Sequence, residues 1–330
     1  MRRPASNHHP TADLAPSGPS PKVSVLIPTY NHARFLAEAL KSVREQDFTH
    51  WELIISDDAS TDNSEAVLRE FALTDARVRF TLQPTNLGLV GNFNWCLSQA
   101  RGDYIKFLLA DDKFARPDAL RRLVAMLDGS QETVLASSAA QIINEKTEPQ
   151  GVRDYFGQTF SEDGRATCRR CLVQGSNQVG EPSLVLFRRQ CAVGGFNPAY
   201  RHWVDAELAF RILEQGRFAY CAEPLTAFRV HASQQTRRDQ EQQLHLTEFY
   251  RLLLEFADRP WFSRAAARAR LFEELYQNRK RANLPVATRE ALAQALDSLG
   301  GQQGYMTFLL RRRLHRPFQN LRRSLAKRLC

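Results

Sequence analysis

The chain carries 330 residues with a formal net charge of +9; 43% of it is hydrophobic and 25% charged. These are the proportions of a globular protein with a substantial core, and no apolar run approaches the roughly 20 residues of a membrane-spanning helix. The positive balance points to an anionic partner: a nucleotide-linked substrate, nucleic acid or a membrane surface.

Residues 1–21 are rich in Pro, Ser, Ala and His and poor in large apolar side chains, so a disordered leader is expected. No apolar core follows Arg2 and Arg3, so no signal peptide is expected and the protein is assigned to the cytoplasm. Residues 23–27 read as a buried strand that Pro28 stops. A helix opens after Asn31 with Phe35, Leu36, Ala39, Leu40 and Val43 on one face. The pattern then repeats. Residues 51–56 are a strand ending at Asp57-Asp58, Thr61 or Asp62 caps the next helix, and residues 78–82 are a third strand. A loop through Asn86 and Gly88 leads to a helix bearing Phe93, Trp95, Cys96 and Leu97. The apolar run 104–110, introduced by Gly102-Asp103, has the character of a strand in the middle of a sheet. A helix over 117–127 and a strand over 133–138 follow, whereas 141–180 shows no regular pattern. Residues 183–187 resume as a strand, 194–198 are a turn, and 204–213 are a helix with Asp205 and Glu207 at its start. Two short strands, 218–220 and 225–230, precede a region of helical composition from about Gln240 onward.

This alternation predicts an α/β fold with a mostly parallel sheet flanked by helices, a catalytic domain over 22–238 and a helical extension over 239–330. Ligands of such sheets bind beyond the carboxyl ends of the strands. Three of those ends carry polar residues suited to a nucleotide: Pro28-Thr29-Tyr30-Asn31, Asp57-Asp58 and Asp111-Asp112. Adjacent carboxylates, with a reference pKa of about 3.9, repel each other unless a cation sits beside them. The natural guests are a divalent metal and the phosphates it carries, with a solvated strand-end turn as the alternative. No GxGxxG follows the first strand, so a dinucleotide site is not expected. Of the six cysteines, Cys168 and Cys171 form a lone CxxC. A zinc site would need two more ligands, so reduced thiols are expected.

The ordered set of motifs resembles the family-2 glycosyltransferases of GT-A fold. It comprises 23–31, 52–62, Asn86-Leu87-Gly88, 102–112, the helix that Asp205 opens, and Arg229-Val230-His231. The resemblance implies transfer of a sugar from a nucleotide-diphosphate sugar, UDP- or dTDP-linked, to an acceptor hydroxyl with inversion. It implies Mg²⁺ or Mn²⁺ held by Asp112 and His231, with Asp111 beside the ribose or metal. The family's Asp-x-Asp spelling departs here, because Ala110 occupies the first acidic position. By the same likeness Asp58 recognises the base, Tyr30 stacks on it, and Pro28 and Asn31 shape the loop. Asn86 and Gly88 close over the nucleotide, and Arg229 pairs with phosphate. Asp205 is the candidate general base, with Glu207 as the alternative. From their position beside Asp205, and because flat aromatics pack on sugar rings, His202 and Trp203 are expected to line the acceptor site. The likeness also implies a glycan or lipid-linked acceptor in surface polysaccharide or lipopolysaccharide synthesis. Two rival readings stand beside it: an inactive nucleotide-sugar-binding scaffold, and a sugar-phosphate nucleotidyltransferase. The latter would carry a Gly-rich basic loop where Pro28-Thr29-Tyr30-Asn31 stands.

Residues 311–330 hold eight Lys or Arg and no acid. From Pro317 onward, Phe318, Leu321, Leu325 and Leu329 fall on one helical face among basic residues, the pattern of an interfacial helix on an anionic membrane. A peripheral position on the inner membrane face is therefore expected. Nucleic acid is not, because no recognised motif accompanies the charge.

Overall fold

The structure is a computed structural model that describes residues 20–232, 234, 239, 242–278, 284–301 and 303–310. The predicted leader through residue 19 and the basic tail 311–330 lie outside the described residues. Apart from a short unpredicted strand, β5 (Lys113–Phe114), the first half alternates as predicted: β1 (Val23–Thr29), α1 (Ala33–Arg44), β2 (Trp51–Asp57), α2 (Ser64–Ala72), β3 (Val78–Leu82), α3 (Gly88–Gln99), β4 (Tyr104–Phe107) and, after β5, α4 (Ala119–Asp128). Then come β6 (Thr133–Ile143), β7 (Pro149–Arg153), β8 (Phe160–Asp163), α5 (Gly164–Gln174), β9 (Leu186–Arg188), α6 (Val204–Leu213) and β10 (Arg217–Arg229).

Successive strand residues face opposite sides of the sheet, and here both sides are apolar. Val23, Val25, Ile27, Leu53 and Ile55 join one core, with α1 and α4. Leu26, Ile54, Ile105 and Phe107 join the other, with α3, α5 and α6. That double burial is why these strands read as continuous hydrophobic runs. The main path of the sheet is β3-β2-β1-β4-β9-β6-β10-β5. β3, β2, β1 and β4 are mutually parallel, as are β6 and β10, whereas β9 is antiparallel to both of its neighbours. The sheet is thus mixed. Its parallel half sets the ends of β1, β2 and β4 side by side at one edge.

Several predicted boundaries move. Pro28 does not end β1: it lies opposite Ser56, and the strand runs on to Thr29. β4 stops at Phe107, so 108–112 form a non-strand shelf leading to the paired acids. The two short strands predicted near 218 and 225 are one strand, β10. Register shifts either side of Pro224, which has no N–H to donate, let the ladder resume. The unassigned stretch holds β7, β8 and α5. Asp163 caps α5 by accepting from Arg165 N at 2.8 Å, and Gly175 ends it with a left-handed φ of 67°.

Beyond residue 238 the helices Leu244–Phe256, Arg264–Asn278 and Val286–Leu299 share the α5/α6 core through Phe249, Phe256, Leu271 and Ala295. The five described cysteines are buried and unbridged. No helix among the described residues is long and apolar enough to cross a membrane.

The opposite edge of the parallel half is tied by one buried carboxylate. Glu52 accepts from Ser24 Oγ (2.6 Å), Arg101 N (2.9 Å), Arg101 Nη2 (2.6 Å) and Arg79 Nη2 (3.0 Å), joining β1, β2, β3 and the entry to β4. Burial opposes its charge, but the bonds from Arg101 and Ser24 outweigh it and hold the pKa below the usual carboxylate range. Glu52→Ala is expected to cost about 2–3 kcal/mol in chemical denaturation at neutral pH. Because the folded pKa is depressed, that contribution is present above the unfolded value and fades as pH falls through the folded one. The gap between native and variant should therefore narrow below about pH 4.

Candidate active site

The loops at the ends of β1 and β2 are locked to each other. Asn31 adopts φ 56°, and its Oδ1 accepts from Thr61 N at 2.8 Å while its own N–H donates to Ser60 Oγ at 2.8 Å. Asp62 receives Ala33 N at 2.9 Å and Ser64 N at 3.0 Å, so one carboxylate serves the first turns of both α1 and α2. Tyr30 stands at this edge 46% exposed. The buried Asp58 carboxylate accepts from Leu87 N (2.6 Å) and Gly88 N (3.0 Å), and its carbonyl accepts from Asn86 Nδ2 (3.0 Å). Burial raises its pKa against those two N–H groups. Gly88 holds φ 73°, a conformation that favours glycine, so Asp58, Asn86 and Gly88 form one unit at the start of α3.

The two acids after β4 part company. Asp111 Oδ2 lies 2.9 Å from His231 Nε2. Burial works against its ionisation, yet the bond from His231 and the nearby His32 hold its pKa below the usual range. Asp112 turns inward. Its Oδ1 accepts from Arg229 N at 2.9 Å, while Oδ2 is buried without a protein partner. Burial, then the neighbouring Asp111 charge, push its pKa well above the usual range. Lys106 is fully buried nearby, donates to the Ser183 carbonyl, and is drawn down to about pKa 7 by burial against the pull of Asp112.

One ligating atom each from His32, Asp111 and His231 lie within 4.8 Å of one another. His32 was read from sequence only as part of a helix start. Burial lowers its pKa, which favours the neutral imidazole that a metal binds. The sequence assigns the metal to Asp112 and His231, with Asp111 beside it; the structure groups His231 with Asp111 and His32.

Arg229 is wholly buried. It donates to Asp111 O (2.7 Å), Asn144 O (3.1 Å), Thr147 Oγ1 (2.9 Å) and Glu38 Oε2 (3.1 Å). Its guanidinium therefore engages protein acceptors where a phosphate contact was expected, and it acts as the brace of the site.

Asp205 sits in the first turn of α6, with Oδ1 accepting from Ala206 N (2.8 Å) and Oδ2 from Asn177 Nδ2 (3.1 Å). Burial pushes its pKa up to about 6. The Glu181 charge raises the pKa of both Asp205 and Asp112. Glu207, the alternative base, is buried and bound to the Arg211 guanidinium at 2.7 and 2.9 Å. Trp203 does not line an acceptor surface: its ring is buried on Phe249 (5.2 Å between centroids) and its Nε1 donates to His245 O. His202 is half-buried beside Asp205. The Glu248 carboxylate accepts Arg201 N, His202 N and Trp203 N at 2.8, 2.8 and 2.9 Å, so the C-terminal helices fix the entry to α6. Glu248 carries no local signal in the sequence that would reveal this bond across 45 residues.

Residues 24–191 match the family model described as glycosyl transferase family 2. The chain belongs to this family. Among curated relatives of this family-2 glycosyltransferase, the GalNAc(5)-diNAcBac-PP-undecaprenol beta-1,3-glucosyltransferase of Campylobacter jejuni is 40% identical over 94 residues, 28% of this chain and 30% of that one. The chain spans less than half the length of several of the curated relatives it matches. S. aureus TarS 1–349 in complex with UDP-GlcNAc superposes with a TM-score of 0.62 at 18% identity, covering 84% of this chain and 80% of that one. The mannosyltransferase PcManGT of Pyrobaculum calidifontis, in complex with GDP-Man and Mn²⁺, gives 0.57 at 20% identity, covering 92% and 83%. These likenesses establish the GT-A fold that the sequence predicted.

Arg229→Lys keeps the charge but cannot reach four separated acceptors from one ammonium. We expect the variant to unfold about 3–5 kcal/mol more easily, measured by denaturant titration.

Proposed function

We propose that the protein transfers a sugar from a UDP- or dTDP-linked donor to an acceptor hydroxyl, with inversion at the anomeric carbon. The observation that carries this reading is Asp205: an acid in the first turn of α6 that lines a cavity, is held by Asn177 and Ala206, and has its pKa lifted by burial to about 6. A carboxylate poised near the operating pH takes the acceptor proton as attack proceeds, an effect typically worth about 10²- to 10⁴-fold. With a single such base and Glu207 committed to Arg211, direct displacement fits better than a covalent intermediate.

His32, Asp111 and His231 fit a divalent ion, and two imidazoles with one carboxylate suit Mn²⁺ better than the oxygen-preferring Mg²⁺. When bound there, such an ion offsets the charge that builds on the departing nucleoside diphosphate. Asp58 retains acceptor capacity for the imide N–H of a uracil or thymine, and exposed Tyr30 offers a face for the ring. Asn31, Asn86 and Gly88 hold that loop in shape, Pro28 lies in β1 just before it, and Arg229 braces Asp111. The undecaprenol-linked name of the Campylobacter relative supports a glycan or lipid-linked acceptor in surface polysaccharide synthesis.

Incubation with a panel of nucleotide sugars and Mn²⁺ is expected to release nucleoside diphosphate only in the presence of acceptor. Asp205→Asn should cut that release by about 10²-fold or more while nucleotide-induced thermal stabilisation persists. Turnover at the native rate would remove Asp205 from the chemistry, and no release from any donor would favour a binding scaffold.

Peripheral membrane attachment is part of the same proposal. Met306 and Leu310 are exposed, 57% and 59%, just before the basic segment 311–330. Each basic residue near an anionic surface contributes about 1 kcal/mol. The full chain should co-sediment with vesicles containing phosphatidylglycerol at low salt and lose this on deletion of 311–330. Equal sedimentation of the two forms would sink the idea.

A further inference from the structure

We propose that Asn177 is a positioning residue for the acceptor-activating carboxylate: its side-chain amide holds Asp205 in the orientation from which it receives the proton. This rests on the reading of Asp205 as the general base.

The amide's orientation is fixed by its surroundings. Its Oδ1 accepts from Val179 N at 3.1 Å and Gly180 N at 3.3 Å, a task only the carbonyl end can perform. The NH₂ end must then face the other way, where it donates to Gly180 O at 3.1 Å and Asp205 Oδ2 at 3.1 Å. The other carboxylate oxygen is pinned by Ala206 N at 2.8 Å. One bond from the loop and one from the helix backbone therefore stop the carboxylate from rotating, and each oxygen keeps a lone pair for an incoming hydroxyl.

The setting makes this donor matter. Asp205 shares its cavity with Phe107, Leu135, Phe187 and Leu208, apolar side chains that offer the anion nothing. The groups that act on it from elsewhere are Glu181 in the loop, His202 ahead of α6 and Tyr155 beyond β7. Glu181 disfavours the charge and His202 favours it. A neutral N–H that supports the anion keeps the carboxylate ionised, and so able to take a proton, at working pH. The turn itself has independent supports: Ser137 Oγ donates to Val179 O at 2.6 Å, and Gly180 holds φ 110° where a Cβ would lie 3.0 Å from Leu184. In the reaction the acceptor O–H bond breaks, its electron pair forms the bond to the anomeric carbon, and the nucleoside diphosphate leaves with the old bonding pair. The proton ends on Asp205, and Asn177 is unchanged.

Asn177→Asp separates the roles. A carboxylate still accepts from Val179 and Gly180, so the turn is kept, but the donor to Asp205 is replaced by a like charge. The acid limb of the kcat/KM–pH profile, expected near pH 6 in the native enzyme, should move up by about one unit or more. Activity at pH 6 should fall by about fivefold or more and recover toward the native level above pH 8, with KM for the nucleotide sugar unchanged. Asn177→Ala, which also removes the turn's acceptor but adds no charge, should shift the limb in the same direction by less if it folds. A native acid limb in Asn177→Asp, with Asp205→Asn inactive, would overturn this inference and leave the base assignment standing. A fully active Asp205→Asn would overturn both.

Discussion

The burial of one guanidinium organises the cleft. Arg229 is 0% exposed, and a charge taken wholly out of water is tolerable only when its donors meet acceptors. Those acceptors come from three places: the Asp111 carbonyl after β4, the 144–147 turn after β6 and Glu38 on α1, while Asp112, next to Asp111, accepts the Arg229 backbone N–H. Satisfying the one residue draws three segments onto the end of β10. His231, two residues further on, then meets Asp111 at 2.9 Å. The Arg229 side chain touches the chemistry only through its neighbours, yet the geometry of the acids follows from it.

The same side-chain type does four different things here because the surroundings differ. Glu52 is surrounded by guanidinium and hydroxyl donors and stays ionised. Asp111 is stabilised as an anion by imidazoles. Asp112, one residue away, faces the interior beside that charge and is pushed the other way. Asp205 is surrounded by apolar side chains and carries a pKa raised toward neutrality. An anion beside neutral donors suits a cation, and a raised acid suits proton transfer, so the division of labour across the cleft is one of desolvation against local donors.

The C-terminal helices belong to this arrangement. Glu248 takes three successive N–H groups just before α6, at the open end of a helix where such groups lack partners. The helix that presents Asp205 is thereby referenced to the far side of the core, while Asn177 references it to the near side. A carboxylate held from two directions has little freedom left.

The sequence by itself determined the α/β alternation, the strand ends that meet at one edge, and the family, because period and turn chemistry are local and both faces of the central strands are buried. It left β7, β8 and α5 unread, since α5 buries only a narrow strip through Cys168, Cys171 and Leu172 and so has a weak pattern. Only the tertiary structure decided which of two adjacent aspartates faces the imidazoles, that Arg229 is a brace, that Trp203 is core, and that His32, Lys106, Asn177, Glu181 and Glu248 surround the site. Those outcomes depend on partners 28 to 191 residues away in the chain, such as Asn177 for Asp205 and Glu38 for Arg229. Whether a polar side chain is a ligand, a brace or a base is set by what it is buried against, and no local pattern carries that information.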